Sequence, residues 1–416
     1  MNNRQSRGDT RKFRIVLSTW GSTGDVQLFL TLSNWLSKEG HKVRVCTSEI
    51  YRDRFAKHGR RFDNRCRINR NICYKGLHET SLHIMIEKIL VFSFSFIGDA
   101  VLSMAVINPL RQRFPDAKII FLVGPRAFDL LAADPQIDQV LVYDNRGEHA
   151  GWRGKIRLIE SLRRERFDLV VDLRDSLWSR FVGRKHWGMR LRRGNIHAVT
   201  RYLDVLQRRG LDVDGARPRL QFTPSRLSKR DAFLTENGVN RHRVLVGIHP
   251  GGNWVYKLWS PESFAQIADR LCEKWNAQIL LFAGPDEREL QAQVASLMHR
   301  QPICVKEDDL CQVAALIAAC DFYIGNDTGP MHIAIAVGTH VIGIFGSTNH
   351  HRNGPYGEEH IVVHSGVELG CNPCHPGKRP GGCGQGSCAV IEAVTVEQAF
   401  NAAEKLKQMR RDYGEF

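Results

Sequence analysis

The sequence predicts an α/β protein of two doubly wound parallel sheets facing a cleft, preceded by a short extra βαβ segment. Three observations predict it. Short apolar runs rich in β-branched residues alternate with helical patterns along most of the chain, which is the signature of parallel sheets covered by helices. A strand, a Gly-Asp turn, a helix and a strand occur twice near the start, offset by 74 residues (Asp25 against Asp99). A stretch rich in Pro, Arg, Ser and Asp over 210–240 then separates two long alternating regions and reads as an interdomain linker.

The elements follow in order. Phe13–Ser18 is an apolar run leading into Gly21-Ser22-Thr23-Gly24-Asp25-Val26, then a helical pattern over Leu28–Leu36 and a strand over Lys42–Thr47. With the basic stretch Arg60–Lys75, this makes a segment over 1–80 too small for a stable domain alone. The second block starts with a strand at Lys88–Phe94, turns at Gly98-Asp99-Ala100-Val101, and continues as a helix to Phe114 and a strand at Lys118–Val123. Strands at Val140–Tyr143 and Leu169–Leu173 and helices at Ile156–Arg164 and Ile196–Gln207 complete a domain over 86–220. Beyond the linker, strands are predicted at Val244–His249, Gln278–Phe282, Phe322–Gly325 and His340–Phe345. Helices fall between them, one opened by Ser260 as N-cap with Pro261 at its first position, in a domain over 241–408. In doubly wound units, ligands bind at the carboxyl ends of the strands.

Composition narrows the function classes. The 416 residues are 43% hydrophobic and 25% charged, which suits a globular protein and excludes a disordered one. The net charge of +15 favours acidic partners, and residues 151–210 hold 16 Lys+Arg against 6 Asp+Glu. That segment reads equally as a solvated basic face or as a surface for an acidic ligand. It also suits contact with an anionic membrane surface. No recognised nucleic-acid motif accompanies the charge, so specific nucleic-acid binding is not expected. The start is polar, and the most apolar stretch, Ile89–Ile107, is broken by Asp99 and followed by Pro109. A cytoplasmic protein, peripheral at the inner membrane at most, is therefore expected. Seven of the 11 cysteines are scattered singly, which fits a reducing compartment.

Three motifs carry chemistry. Asp99 closes a strand and opens a helix at the cleft mouth, where a carboxylate can take a proton from an attacking hydroxyl or simply cap the helix. Asp25 has the same local setting, so the pattern alone does not choose between them. His249-Pro250-Gly251-Gly252-Asn253 follows a strand, with Lys257 and Trp259 after it. Gly251 and Gly252 would let backbone N–H groups approach a ligand, and Lys257 would meet a phosphate. Asn326-Asp327-Thr328-Gly329-Pro330-Met331-His332 joins a strand to an apolar helix. Its helix start would offer N–H groups to a diphosphate, and Thr328 would add a hydroxyl. His332, one turn in, reads as a site residue or as a satisfied core histidine.

The order and spacing of these three motifs, with Ala-x-Ala-Val-Gly-Thr following the last, resemble glycosyltransferase family 9, the ADP-heptose:lipopolysaccharide heptosyltransferases, over about 86–408. The resemblance implies a GT-B fold of two Rossmann-like domains. It further implies an inverting transfer that needs no metal or other cofactor, from ADP-heptose or another nucleotide sugar to an acidic glycan such as the lipopolysaccharide core. In that reading Asp99 is the general base. Lys257 and the helix beginning at Asp327 neutralise the departing diphosphate. Gly251, Gly252, Glu287, Asp327, Thr328, Gly329 and His332 line the donor site. A protein acceptor, or a sugar-nucleotide-binding protein without catalysis, remains an alternative. Residues 13–59 resemble instead the first unit of family 1 glycosyltransferases, with no matching donor half behind it. Finally, Cys371, Cys374, Cys383 and Cys388 form a C-x2-C pair with two further thiols, a set that could hold structural Zn or Fe or could remain four reduced thiols.

Overall fold

The computed structural model describes residues 14–19, 42–47, 86–189, 195–369, 374 and 388–412, the first two segments and residues 411–412 by backbone alone. The chain divides into two units, one of Met1–Ile84 with Ala150–Ile156 and one of Met85–His149 with Arg157–Phe416. In the first, strands β1 (Arg14–Thr19) and β2 (Lys42–Thr47) pair in parallel with Arg14 beside Lys42, as the strand-helix-strand pattern requires. The turn with Asp25, the helix expected over Leu28–Leu36 and the basic stretch Arg60–Lys75 lie outside the described residues.

The second unit holds two parallel sheets. The amino-terminal one contains β3 (Lys88–Phe92), β4 (Lys118–Val123), β5 (Gln139–Val142), β6 (Leu169–Asp172) and β7 (Lys185–Gly188), in the order β5-β4-β3-β6-β7. The carboxy-terminal one contains β8 (Leu245–His249), β9 (Gln278–Leu281), β10 (Ile303–Cys304), β11 (Phe322–Asn326), β12 (His340–Phe345) and β13 (Ile361–His364), in the order β10-β9-β8-β11-β12-β13. In both sheets the strand order reverses beside the first strand, between β3 and β6 and between β8 and β11, and such a switch point opens a crevice at the carboxyl ends. The central strands are buried on both faces, so they read as continuous apolar runs without alternation.

The helices of this unit are α1 (Ile97–Ser103), α2 (Ile107–Arg113), α3 (Pro125–Ala132), α4 (Gly151–Arg164, of which residues up to Ile156 belong to the other unit) and α5 (Ala198–Gln207). After them come α6 (Pro224–Glu236), α7 (Pro261–Trp275), α8 (Arg288–Leu297), α9 (Leu310–Ile317), α10 (Gly329–Ala336), α11 (His350–Asn353), α12 (Ala389–Glu392) and α13 (Val396–Asp412). Among the described residues no helix is long and apolar enough to cross a membrane. Helix α7 starts as its sequence predicts: Ser260 Oγ accepts the Ser263 N–H at 3.1 Å and Pro261 takes the first position.

The linker differs from expectation. Residues 224–236 form α6, because Pro224 starts a helix without losing a needed N–H and Leu234 is buried. The short edge strands β7, β10 and β13 and helix α3 also go beyond the sequence reading, since edge strands of two to four residues carry too little periodicity to detect. The two sheets share one apolar core that runs through α1, α5, α9 and α10. Polar stitches cross between them. The Leu220 N–H donates to Ala336 O at 2.9 Å, His197 Nε2 lies 2.9 Å from Gly354 O, and Arg217 pairs with Glu359 at 2.6 Å.

Candidate active site

The site is built where the two switch points meet. Helix α1, after β3, lies against the start of α10, after β11. The approach is close enough that a methyl group added at Gly98 would lie 2.6 Å from His332 Cδ2, and one at Gly329 would lie 3.2 Å from Ile97 Cβ. A side chain at Gly98 would overlap the His332 ring, and one at Gly329 would press on Ile97, so glycine lets the two helices approach this closely.

Asp99 sits in the first turn of α1, but it does not cap it. The N-cap position is Phe96, and no side chain caps the helix. Asp99 is half-buried. No hydrogen bond or ion pair meets its carboxylate among the described residues. Burial pushes its pKa above the ordinary 3.8, and nearby Asp327 adds to that, while the cations Arg352, Lys257 and Arg174 act against it.

Lys257 and Asp327 form a pair with Nζ 2.7 Å from Oδ2, Asp327 being almost wholly buried. The same Nζ also reaches the Asp327 carbonyl at 3.3 Å. This corrects the reading of a helix that begins at Asp327. Helix α10 begins at Gly329, because Thr328 still has extended backbone and takes the N-cap position, while the Asp327 side chain is bound to Lys257. The Thr328 hydroxyl donates backwards to Asn326 O at 3.3 Å, so no side chain caps α10. The first N–H groups of that helix are therefore left without a side-chain acceptor, at its positive dipole end.

Glu287 ends a 3-10 turn over Pro285–Glu287 and folds back under the glycine loop. Its Oε2 lies 3.0 Å from His249 Nε2 and accepts the Gly284 N–H at 2.8 Å. Burial would raise its pKa, but the His249 hydrogen bond and charge, together with the N–H groups of Gly284 and Gly252, outweigh it and hold the carboxyl at about 2. The Gly252 N–H lies close enough to Glu287 to act on its carboxylate. Gly251 is needed because a Cβ there would stand 2.2 Å from the Glu287 carboxyl carbon, and one at Gly252 would stand 3.0 Å from Thr328 Cγ2.

His332 is buried, and burial lowers its pKa to about 4 despite Asp327 nearby. It is therefore neutral near pH 7 and acts as the packing face for Gly98, not as a cation. Its Nδ1 has no hydrogen-bond partner among the described residues.

These contacts join Asp99, Gly251, Gly252, Lys257, Glu287, Asp327, Thr328, Gly329 and His332 in one locus. Two of the four cysteines are among the described residues. Cys371 and Cys383 lie outside the described residues. Cys374 donates its N–H to Ser347 O at 2.7 Å, and Cys388 takes the N-cap position of α12. Among the described residues no three His, Cys, Asp or Glu side chains are grouped to hold a metal.

Two residues of the locus escape sequence reading. Asn326, fully buried, donates from Nδ2 to Pro250 O at 2.8 Å and accepts the Trp259 N–H at 3.1 Å, tying the loops after β8 and β11 together. Its place beside Asp327 was the available signal. Arg352, on the short helix α11, is the strongest of the cations acting on Asp99, and nothing in its local sequence marks it.

Comparison with known proteins gives a consistent result. The profile of glycosyltransferase family 9 (heptosyltransferase) matches residues 155–380. A family 28 amino-terminal domain profile matches residues 15–114, which overlap the segment that resembles the first unit of family 1 glycosyltransferases. The chain is 29% identical over 283 residues to lipopolysaccharide heptosyltransferase 3 of Escherichia coli strain K12, covering 61% of this chain and 80% of that one. Among solved structures, a family 9 glycosyl transferase from Veillonella parvula superposes with a TM-score of 0.68 at 23% identity, covering 78% of this chain and 98% of that one. The E. coli ADP-heptose lps heptosyltransferase II superposes with a TM-score of 0.61 at 20% identity, covering 78% and 99%. The fold is GT-B, as the resemblance implied.

Proposed function

The chain belongs to glycosyltransferase family 9, the heptosyltransferase family, and on that premise we propose that it transfers heptose from ADP-heptose to the lipopolysaccharide inner core with inversion. One observation carries the mechanism. The Asp99 carboxylate is unpaired among the described residues, and its proton affinity is raised, at the contact between α1 and the uncapped start of α10.

In this reading the acceptor hydroxyl oxygen attacks the anomeric carbon of the heptose. The bond from that carbon to the β-phosphate oxygen breaks, ADP departs with the electron pair, and the hydroxyl proton passes to Asp99. A carboxylate with raised pKa is the better base for that proton. Charge growing on the diphosphate is met by the α10 N–H groups and dipole and by Lys257, which has three N–H donors. Asp327 fixes the position of Lys257. Glu287, ionised and anchored from below, faces the nucleotide side through its remaining exposed edge. The basic segment 151–210 supports an acidic acceptor presented at the inner membrane. On this reading the four cysteines take no part in the transfer, and Zn or Fe held by them would be structural.

The test is ADP release from ADP-heptose with purified truncated lipopolysaccharides, comparing wild type with Asp99→Asn. Acceptor-dependent release should fall on the order of 10²–10⁴-fold in the variant. Equal rates in both would place the base elsewhere. Release with a different nucleotide sugar, or with a protein acceptor, would change the substrate while keeping the chemistry. Tight ADP-heptose binding without release on any acceptor would favour a sugar-nucleotide-binding protein.

A further inference from the structure

Arg174 stands across the amino-terminal switch point from Asp99 and has no part in the reaction above. It lies two residues past β6. Phe92 at the end of β3 is in register with Asp172 at the end of β6, so the chains leaving these neighbours lead one to Asp99 and the other to Arg174. The guanidinium rests among three aromatic rings, 5.7 Å from the Phe92 centroid, 6.0 Å from Phe94 and 5.4 Å from Tyr143. Among the described residues its side chain makes no hydrogen bond and no ion pair. Its charge and that of Asp99 act on one another.

The loop that carries it is fixed from below. Asp172 Oδ1 accepts the Arg174 N–H at 2.8 Å, and Oδ2 accepts the Ser176 N–H at 2.7 Å and the Ser179 hydroxyl at 2.6 Å. His186 Nε2 lies 2.8 Å from that hydroxyl. Asp175 takes a left-handed backbone, φ 56°, which a non-glycine residue adopts at a cost. A partly desolvated guanidinium with open donors, held on ring faces by a strained and anchored loop, is poised for an anion that it can grip with two parallel hydrogen bonds.

We propose that Arg174 recognises an anionic group of the acceptor, a phosphate or a carboxylate, and holds it so that a neighbouring hydroxyl lies against Asp99. The assignment to the acceptor follows from the side of the crevice. Lys257, Glu287 and Thr328 all come from the carboxy-terminal half, whereas Arg174 comes from the amino-terminal half that supplies the base. The inference rests on the transfer reading above and gives it an acceptor determinant.

The test compares wild type, Arg174→Gln and Arg174→Lys. The probes are a lipopolysaccharide core oligosaccharide, the same glycan dephosphorylated, and the same glycan with its carboxyls reduced. Arg174→Gln should raise the acceptor KM roughly 10- to 100-fold, the range for a charge-assisted hydrogen bond. ADP affinity should stay near wild type. The discrimination that wild type shows between the intact glycan and one altered glycan should disappear, and which glycan that is identifies phosphate or carboxylate. Arg174→Lys should restore part of the affinity. Equilibrium binding of the three glycans, measured without donor, decides the assignment even if no acceptor turns over, so its failure and that of the transfer reading are separable. An unchanged acceptor affinity in Arg174→Gln overturns the proposal. So does a loss of ADP affinity, which would make the anion the diphosphate, or a shifted pH–rate profile at constant KM, which would make Arg174 a partner of Asp99 alone.

Discussion

Replacing Lys257 by Met separates what the Lys257–Asp327 pair does for stability from what it does for the donor. The ion pair is 2.7 Å long, with Asp327 at 5% and Lys257 at 21% side-chain exposure. Removing one partner of a fully buried pair costs about 3–5 kcal/mol, because the other charge is left uncompensated. Lys257 reaches solvent, so the cost here is smaller, about 2–3 kcal/mol. For a unit of this size that is a fall of roughly 3–5 °C in Tm. Asp327→Asn removes the charge that Lys257 compensates, so the double variant Lys257→Met/Asp327→Asn should recover most of the lost stability. It should not recover ADP affinity, which needs the ammonium group. Thermal melts and calorimetric ADP titrations on the four proteins complete the cycle. The pair also bears on Asp99, since Lys257 lowers and Asp327 raises its pKa. The acid limb of the kcat/KM–pH profile should therefore move up in Lys257→Met and down in Asp327→Asn. A double variant no more stable than Lys257→Met would refute the buried-charge argument, and recovery of ADP affinity in it would refute the role of Lys257 at the diphosphate.

Two further outcomes are expected. Gly98→Ala places a methyl 2.6 Å from the His332 ring, so it should cost about 1–3 kcal/mol as overpacking and displace Asp99. Turnover should fall with it, and His332→Ala in the same chain should restore part of the stability; a melt indistinguishable from wild type would mean that the helices do not meet as described. His332 has its pKa lowered from 6.5 to about 4, so the unfolded chain binds more protons between those values. Its contribution is full above about pH 6.5 and lost as pH falls towards 4, on the order of 3 kcal/mol, and His332→Gln should flatten denaturant-derived stability across that window. His360, also lowered to about 4, should leave part of the slope in place. An unchanged slope in His332→Gln would show that His332 is not the buried neutral group.

The sequence by itself determined the alternation of strand and helix, both sheets' central strands, and the three motifs of the site. Those features are local: buried parallel strands need unbroken apolar runs, helix starts need Ser-Pro or Thr-Gly-Pro, and helix contacts need glycine. Asp99, Lys257 and Asp327 were legible because each lies within a few residues of such a signal. What each group does there was not legible. That Lys257 is bound to Asp327, that Glu287 is bound to His249, and that His332 packs on Gly98 depend on contacts between segments 38 to 234 residues apart. Arg174 and Arg352 lie further still from recognition, since each follows an ordinary strand or loop and gains its position only from strand order and domain closure. Local propensity fixes which strands form, but the side of a switch point on which a loop emerges is settled only when the sheets assemble. The acceptor half of the site was therefore the part that only the tertiary structure could decide.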